Sequence, residues 1–285
     1  METTKTPNVR AEEIDPAIEN ANSEECNLSI LMNADGLVFS ILRNDVPKFI
    51  VLGDYQRKKD AVDIASLFNF KSQLQGDFAN YSIGYSTPKF AVVPQTLFDS
   101  SKLKEYASFQ FELNEDEELY YDELSTHGIV VVFSIPNDVK EHLENNFHGV
   151  SFNHSASFGI SYYLNLYKNI PGQHIHANCW AGNVELIAIN NGKLLLSTVF
   201  SYETNEDLLY YILNVFEQLE MNPETVPLKI SGELEKHFES WRLLEKYIRF
   251  VEVEDRPANY QYSHEFKNLP EHRYNRVFQA ATCVL

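Results

Sequence analysis

Three short apolar runs followed by one amphipathic helix occupy His174–Leu219, and the same succession of elements stands earlier in the chain. The runs are His174–Cys179, Val184–Asn190 and Lys193–Ser201, each of strand length. They turn at Trp180-Ala181-Gly182-Asn183 and at Asn190-Asn191-Gly192, where Asn-Gly is among the stronger hairpin signals. Thr204 with Asp207 three residues on fits a capping box. Leu208, Tyr211, Ile212, Val215, Phe216 and Leu219 then recur at helical spacing and make one continuous apolar face. Asn222-Pro223 stops that helix. The spacing predicts a strand over Val226–Ile230, a helix near Glu233–Lys246, a strand over Ile248–Val253 and a last helix near Glu271–Cys283. Glu254–Pro270 reads as an irregular loop.

The earlier half runs through the same order. Asn27–Asn33, Leu37–Arg43 and Lys48–Gly53 are three apolar runs joined by Ala34-Asp35-Gly36 and by Asn44-Asp45-Val46-Pro47, which is turn chemistry. A helix is predicted over Lys59–Gln75, strands over Tyr81–Tyr85 and Phe90–Val93, and a helical segment through Leu97, Phe98, Leu103 and Tyr106. Glu112–Glu123 reads as a solvated acidic loop or edge. Gly128–Ile135 is apolar without alternation, as in a strand buried on both faces of a parallel sheet. A helix over Asp138–Asn146, a strand over Val150–Asn153 and a helix over Ala156–Lys168 close the half. Residues 1–26 mix Glu, Asp, Asn, Thr and Pro with few large apolar side chains, so they read as a flexible tail.

The resulting plan is an α/β chain of two lobes, 27–170 and 171–285, each with a mixed five-stranded sheet in the order β-β-β-α-β-α-β-α. The first lobe carries an insertion at about 81–123. Only the order of elements repeats; no residue-level repeat is visible.

Val93-Pro94 with Leu97-Phe98, Val132–Pro136, and above all Phe200–Leu219 (FSYETNEDLLYYILNVFEQL) carry a resemblance, extended by Leu228–Glu233 and Lys246–Arg249. On these residues the chain resembles an uncharacterised Bacteroidetes family, the domain of unknown function 3822 group. The doubled plan resembles the actin-like ATPase superfamily (actin, Hsp70, sugar kinases), a ribonuclease H-like fold. The resemblance covers roughly residues 27–285. It implies the fold and no activity.

It also implies where a nucleotide would sit. In that superfamily the first hairpin of each lobe lets backbone N–H groups approach phosphates, and an Asp there organises Mg²⁺. A Gly turn after a second-lobe strand lies against adenosine. Here the first hairpin is Asn33-Ala34-Asp35-Gly36, with Asn33 in place of the leading Asp and Asp35 in a turn position. The second runs Asn178-Cys179-Trp180-Ala181-Gly182-Asn183, where Asn again replaces Asp and the Trp180 indole would crowd a triphosphate. Ser231-Gly232 matches the adenosine turn. Asn brings no negative charge to a metal and cannot act as a base, and phosphoryl transfer depends on that chemistry. The expectation is therefore no catalytic residue, no metal and no cofactor, with ATP and Mg²⁺ kept as the alternative.

A net charge of −18 disfavours nucleic acid and anionic lipid as partners. No run of about 20 apolar residues reads as a membrane span, and residues 1–20 lack the apolar core of a signal peptide, so a cytoplasmic location is expected. Cys26, Cys179 and Cys283 are scattered and odd in number, and read as reduced structural thiols. His174-x-His176 places two imidazoles on one strand face; they read as exposed strand residues, since two ligands are too few for a metal site. His148 and His154 come with no nucleophile motif. Trp241 and Trp180 read as packing residues, although Trp180 on a hairpin tip could anchor a partner. The leading expectation is a non-catalytic scaffold or adaptor that grips a protein partner through its cleft or its insertion. An ATPase or small-molecule kinase relying on Asp35, and a ligand-sensing module without hydrolysis, stay open beside it.

Overall fold

In a computed structural model that describes residues 8–56, 76–147, 149 and 151–283, the first strand begins well before the apolar runs. Asn8–Ile14 forms strand β1. Three strands follow, β2 (Cys26–Asn33), β3 (Gly36–Arg43) and β4 (Lys48–Gln56), joined as an antiparallel meander. β1 lies antiparallel along the outer edge of β4, with Ile14 opposite Val51 and Asn8 opposite Gln56. The reading of 1–26 as a flexible tail is thereby corrected for this segment. β1 is held by backbone pairing rather than side-chain burial, since Ala11 alone of its residues is buried, and composition does not report backbone pairing. Asp15 caps the turn that follows and lies 2.6 Å from Lys48 Nζ.

β5 (Asn80–Tyr85) pairs parallel with β2, and β9 (Phe152–His154) pairs parallel with β5. The sheet order is β1-β4-β3-β2-β5-β9. The helix expected over Lys59–Gln75 lies outside the described residues. Between β5 and β9 stands a separate antiparallel sheet of β6 (Phe90–Pro94), β7 (Glu117–Leu124) and β8 (Ile129–Pro136), in the order β6-β8-β7. The insertion expected at 81–123 is thus corrected: Asn80–Tyr85 is itself the fourth strand of the main sheet, and the inserted sheet extends past Gly128. Val130–Phe133 are fully buried, so β8 lacks polar alternation there because both its faces are covered. Pairing direction has no part in that. On one face helix α1 (Leu103–Ser108) sets Leu103 and Tyr106 against Val93, Val130 and Val132. Helix α2 (Asn137–Asn146) follows β8 and buries Val139 and Leu143.

The second half opens with helix α3 (Ser155–Leu166) and continues with β10 (Gln173–Trp180), β11 (Asn183–Asn190) and β12 (Lys193–Ser201). Helix α4 (Asn205–Gln218) starts on the expected capping box, with the Thr204 side chain accepting from the Asp207 amide and the Asp207 carboxylate accepting from the Thr204 amide. β13 (Leu228–Gly232), α5 (Glu239–Leu244), β14 (Val251–Val253), β15 (Gln261–Tyr262) and α6 (Asn275–Thr282) complete the chain. The sheet order is β12-β11-β10-β13-β14, with β13 parallel to β10 and to β14. Leu208, Ile212, Val215 and Phe216 of α4, together with Trp241 and Leu244 of α5, form the core against Ile175, Ala177 and Cys179 of β10.

The two sheets share one plan down to a local irregularity. β4-β3-β2-β5-β9 and β12-β11-β10-β13-β14 have the same order and the same directions. In each, the third strand carries one extra residue near its start. Leu42 pairs with Phe49 and Ile41 with Val51, which leaves Ile50 over; Ile189 pairs with Leu194 and Ala188 with Leu196, which leaves Leu195 over. Such bulges are built features rather than defects.

By its contacts the chain forms two compact units, Met1–Ser155 with Ala258–Leu269 and Ala280–Leu285, and Ala156–Pro257 with Pro270–Gln279. The boundary expected at 170/171 is corrected on both sides. Residues 156–170 belong to the second unit, and the segment expected as an irregular loop after Glu254 returns to the first, where β15 pairs parallel with Lys48 and Phe49 of β4.

Removing residues 1–14 strips β1 from the edge of β4. We expect the truncated chain to lose on the order of 2 kcal/mol, a fall in the thermal midpoint of roughly 4–8 °C, and to aggregate on heating, as measured by calorimetry and light scattering.

Candidate functional site

In the first unit the tip of the β2–β3 hairpin is a closed turn. Asn33 pairs with Gly36, and the Asp35 amide donates to Asn33 Oδ1 at 2.8 Å. The side-chain oxygen that would have to reach a metal is thus engaged within its own turn. Asp35 is exposed at the tip. A Cβ at Gly36 would lie 2.1 Å from the Tyr55 carbonyl oxygen, so this glycine is required by the approach of β4 and needs no ligand to explain it.

In the second unit the corresponding turn is built more tightly. Ala181 and Gly182 both adopt positive φ, 46° and 71°. Asn183 Nδ2 donates to the Ala181 carbonyl, and Asn183 Oδ1 accepts from Ser201 Oγ at 2.7 Å. The Ala181 amide donates to Glu233 Oε2 at 3.0 Å. Ser231-Gly232 ends the adjacent strand, and Ser231 Oγ donates to Asn178 Oδ1 at 3.2 Å. Gly232 adopts φ +84°, and a Cβ there would meet the Cys179 carbonyl oxygen at 2.1 Å. The structure therefore brings Asn178, Gly182, Asn183, Ser231 and Gly232 into one corner of the second sheet. Asn33, Asp35 and Gly36 form their own turn in the first unit. Trp180 is half-buried at the end of β10, and Trp241 is a core residue.

Period-two alternation sends Ile175, Ala177 and Cys179 to the apolar face of β10, and His174, His176 and Asn178 to the other. That other face is a buried polar layer. The expectation that His174 and His176 are exposed is corrected, for His176 is 2% exposed and His174 is half-buried. His176 stacks on Tyr163 of α3, ring centroids 3.8 Å apart, and His174 stacks on Tyr167 at 3.8 Å. His176 Nε2 lies 3.0 Å from the Tyr167 hydroxyl, and Nδ1 lies 3.4 Å from Glu254 Oε1. A neutral imidazole protonated on Nδ1, accepting from Tyr167 and facing Glu254, satisfies that geometry. The Tyr163 hydroxyl donates to Glu254 Oε2 at 2.7 Å.

Next to this cluster Arg276 of α6 donates to Glu185 of β11, and both are buried. Glu185 is opposite Asn178 in the sheet, and Asn178 is opposite Ser231, so the ion pair runs into the corner where Ser231-Gly232 ends. Space for the guanidinium comes from a helical glycine: a Cβ on Gly159 would lie 1.4 Å from an Arg276 terminal nitrogen. Burial raises the Glu185 carboxyl, and Arg276 offsets only part of that. Burial also opposes ionisation of Glu254, but the nearby His176 ring, the hydrogen bond from Tyr163 and the charge of Arg276 outweigh it and hold this carboxyl below its ordinary value. His176 is held below the ordinary imidazole value chiefly by burial, against the opposing pull of Glu254.

Sequence reasoning missed Glu185, Glu233, Glu254, Arg276 and Gly159. Glu185 had a readable signal, an acid inside the otherwise apolar run Val184–Ile189, which a buried strand tolerates only with a cation nearby. Elsewhere, His154 is fully buried in the first unit. Its Nε2 lies 3.0 Å from the Thr87 carbonyl oxygen, and its amide donates to Asp122 Oδ2. All three cysteines are free and buried, and burial pushes the Cys179 thiol up to about 12. Among the described residues no three His, Cys, Asp or Glu side chains are grouped as a metal site requires, and no helix is long and apolar enough to cross a membrane.

A meander with two parallel strands added beside its first, given twice in the same order and with the same bulge, defines the actin-like ATPase fold. Known structures agree. The chain is similar to a Bacteroides thetaiotaomicron VPI-5482 protein described as having an actin-like ATPase fold and unknown function, with 21% identity over 92% of this chain and 97% of that one and a TM-score of 0.78. It is similar too to the PilM-PilN type IV pilus biogenesis complex, with 11% identity over 92% of this chain and 98% of that one and a TM-score of 0.65. The chain belongs to the family described as protein of unknown function (DUF3822), whose model matches residues 15–251. No curated protein matches it.

Two outcomes follow from the polar layer. Gly159→Ala drives a methyl into the Arg276 site and leaves Glu185 buried without its partner; a loss of about 3–5 kcal/mol is expected in urea unfolding, well beyond an ordinary helical Gly-to-Ala change. His174, His176 and His272 all sit below the ordinary value of 6.5, chiefly through burial. The unfolded chain takes up protons below pH 6.5 that the folded chain refuses, so this stability is complete above 6.5 and lost as pH falls. Glu254, held low, adds a loss in the same direction below its ordinary 4.5. Glu185, held high, works the other way, since the folded state keeps its proton at a pH where the unfolded chain has released it. Thermal midpoints should decline from pH 7 to pH 5.

Proposed function

We propose that this chain is a non-catalytic protein of the actin-like fold that works by binding another protein, as a scaffold or adaptor. The observation that carries the reading is the fate of the second hairpin. The Ala181 amide donates to the Glu233 carboxylate, so a negative group of the chain itself occupies the direction a phosphate would have to approach. Asn178, in the place of a metal-organising Asp, has its Oδ1 engaged by Ser231. Asn33 likewise has its Oδ1 engaged by the Asp35 amide. Mg-ATP fits these residues poorly, because Asn33 and Asn178 bring no negative charge to the cation and the phosphates would face Glu233.

A frame that keeps its two sheets but spends its loop groups on itself has surfaces rather than chemistry to offer. PilM, a structural relative, occurs in complex with PilN, so a protein partner is compatible with this frame. The acidic surface that a net charge of −18 implies suits a partner that is basic or neutral.

Titration calorimetry with Mg-ATP at millimolar concentration should give no saturable heat, and phosphate release should not exceed the buffer blank. Saturable micromolar binding with steady turnover would overturn the reading. Affinity-tagged chain expressed in its native cells should retain a second protein at fixed stoichiometry through a high-salt wash; recovery of the chain alone would count against the adaptor role.

A further inference from the structure

The duplicated sheets differ at one equivalent place. β4 and β12 hold the same position, carry the same bulge and both begin with lysine, Lys48 and Lys193. The outer edge of β4 is covered, by β15 at Lys48 and Phe49 and by β1 from Val51 to Gln56. Among the described residues no strand pairs with the outer edge of β12. Burial follows that difference, for β4 is buried from Phe49 to Tyr55, whereas no residue of β12 is fully buried and Leu195 is 43% exposed.

In an antiparallel edge strand, every second residue turns its N–H and C=O away from the sheet. The usual defences of such an edge are charges, proline, shortness and bulges. β12 is nine residues long, has neither proline nor glycine, and carries one charge, Lys193. Its bulge is no defence on its own, because the equivalent bulge in β4 leaves Val51–Gln56 free to accept β1 antiparallel. The counterpart of that accepting segment is Leu196–Ser201.

We infer that the outer edge of β12 is an interaction surface, and that its occupant is β12 of a second copy of this chain, paired antiparallel about a two-fold axis. Charge selects this occupant. Two copies that each carry −18 repel one another over most of their surface, yet from Leu186 to Tyr202 there is no Asp or Glu. The strand is also self-complementary. Lys193 stands exposed at one end and Glu203 stands exposed just beyond the other, so antiparallel pairing sets Lys193 of each copy alongside Glu203 of its partner at both ends. Such an isologous contact closes after two copies.

Sedimentation velocity of the full chain over the micromolar range should show a concentration-dependent dimer. Lys193→Glu, an exposed change that leaves folding intact, should raise the dimer dissociation constant at least tenfold by setting like charges together at both ends. Adding Glu203→Lys should restore it. Hydrogen exchange should slow at Leu194–Ser201 only at concentrations where the dimer forms. A chain that stays monomeric throughout, a dimer indifferent to Lys193→Glu, or protection of β12 that arises only on adding a different protein would each overturn the inference.

Discussion

A guanidinium taken out of water must be met by a negative group, and in the second unit that requirement organises one whole face of the sheet. Arg276 meets Glu185, Gly159 makes room for it, and Glu185 stands across from Asn178, which in turn binds Ser231. The neighbouring Glu254 is stabilised by Tyr163 and His176. Removing one member of such a layer leaves the others buried without partners, which costs far more than the intact layer contributes to stability. The layer therefore specifies one arrangement of α3 and α6 on this sheet more than it adds to the strength of the fold.

That same layer bears on the chemistry of the loops. In this chain the loop groups are spent internally, the Ala181 amide on Glu233 and the Asn178 side chain on Ser231. Groups satisfied inside a protein can be turned to a ligand only by breaking the bonds they already make. The proposed role in protein binding rests on that satisfaction as much as on the missing carboxylates.

Duplication makes the two sheets each other's control. Shared order and a shared bulge show that the frame tolerates two different treatments of its third strand, one covered by β1 and β15 and one left open among the described residues. The covered edge is buried and the open one is not. Since backbone polar groups on a sheet edge seek partners, the contrast is a physical difference in what each half can bind.

The sequence by itself determined the elements whose signals are local. The two meanders, the capping box at Thr204 and Asp207, and the stripe from Leu208 to Phe216 were all readable, because turn chemistry and hydrophobic period act within a few residues. Only the tertiary structure decided the rest. β1 is a strand because β4 offers it an edge, Ile129–Pro136 joins the inserted sheet rather than the main one, and residues 258–269 return to the first unit through β15. The polar layer was hidden for the same reason: Glu185, Gly159 and Arg276 are far apart in the chain, and the charge balance that ties them together exists only once they share one buried face.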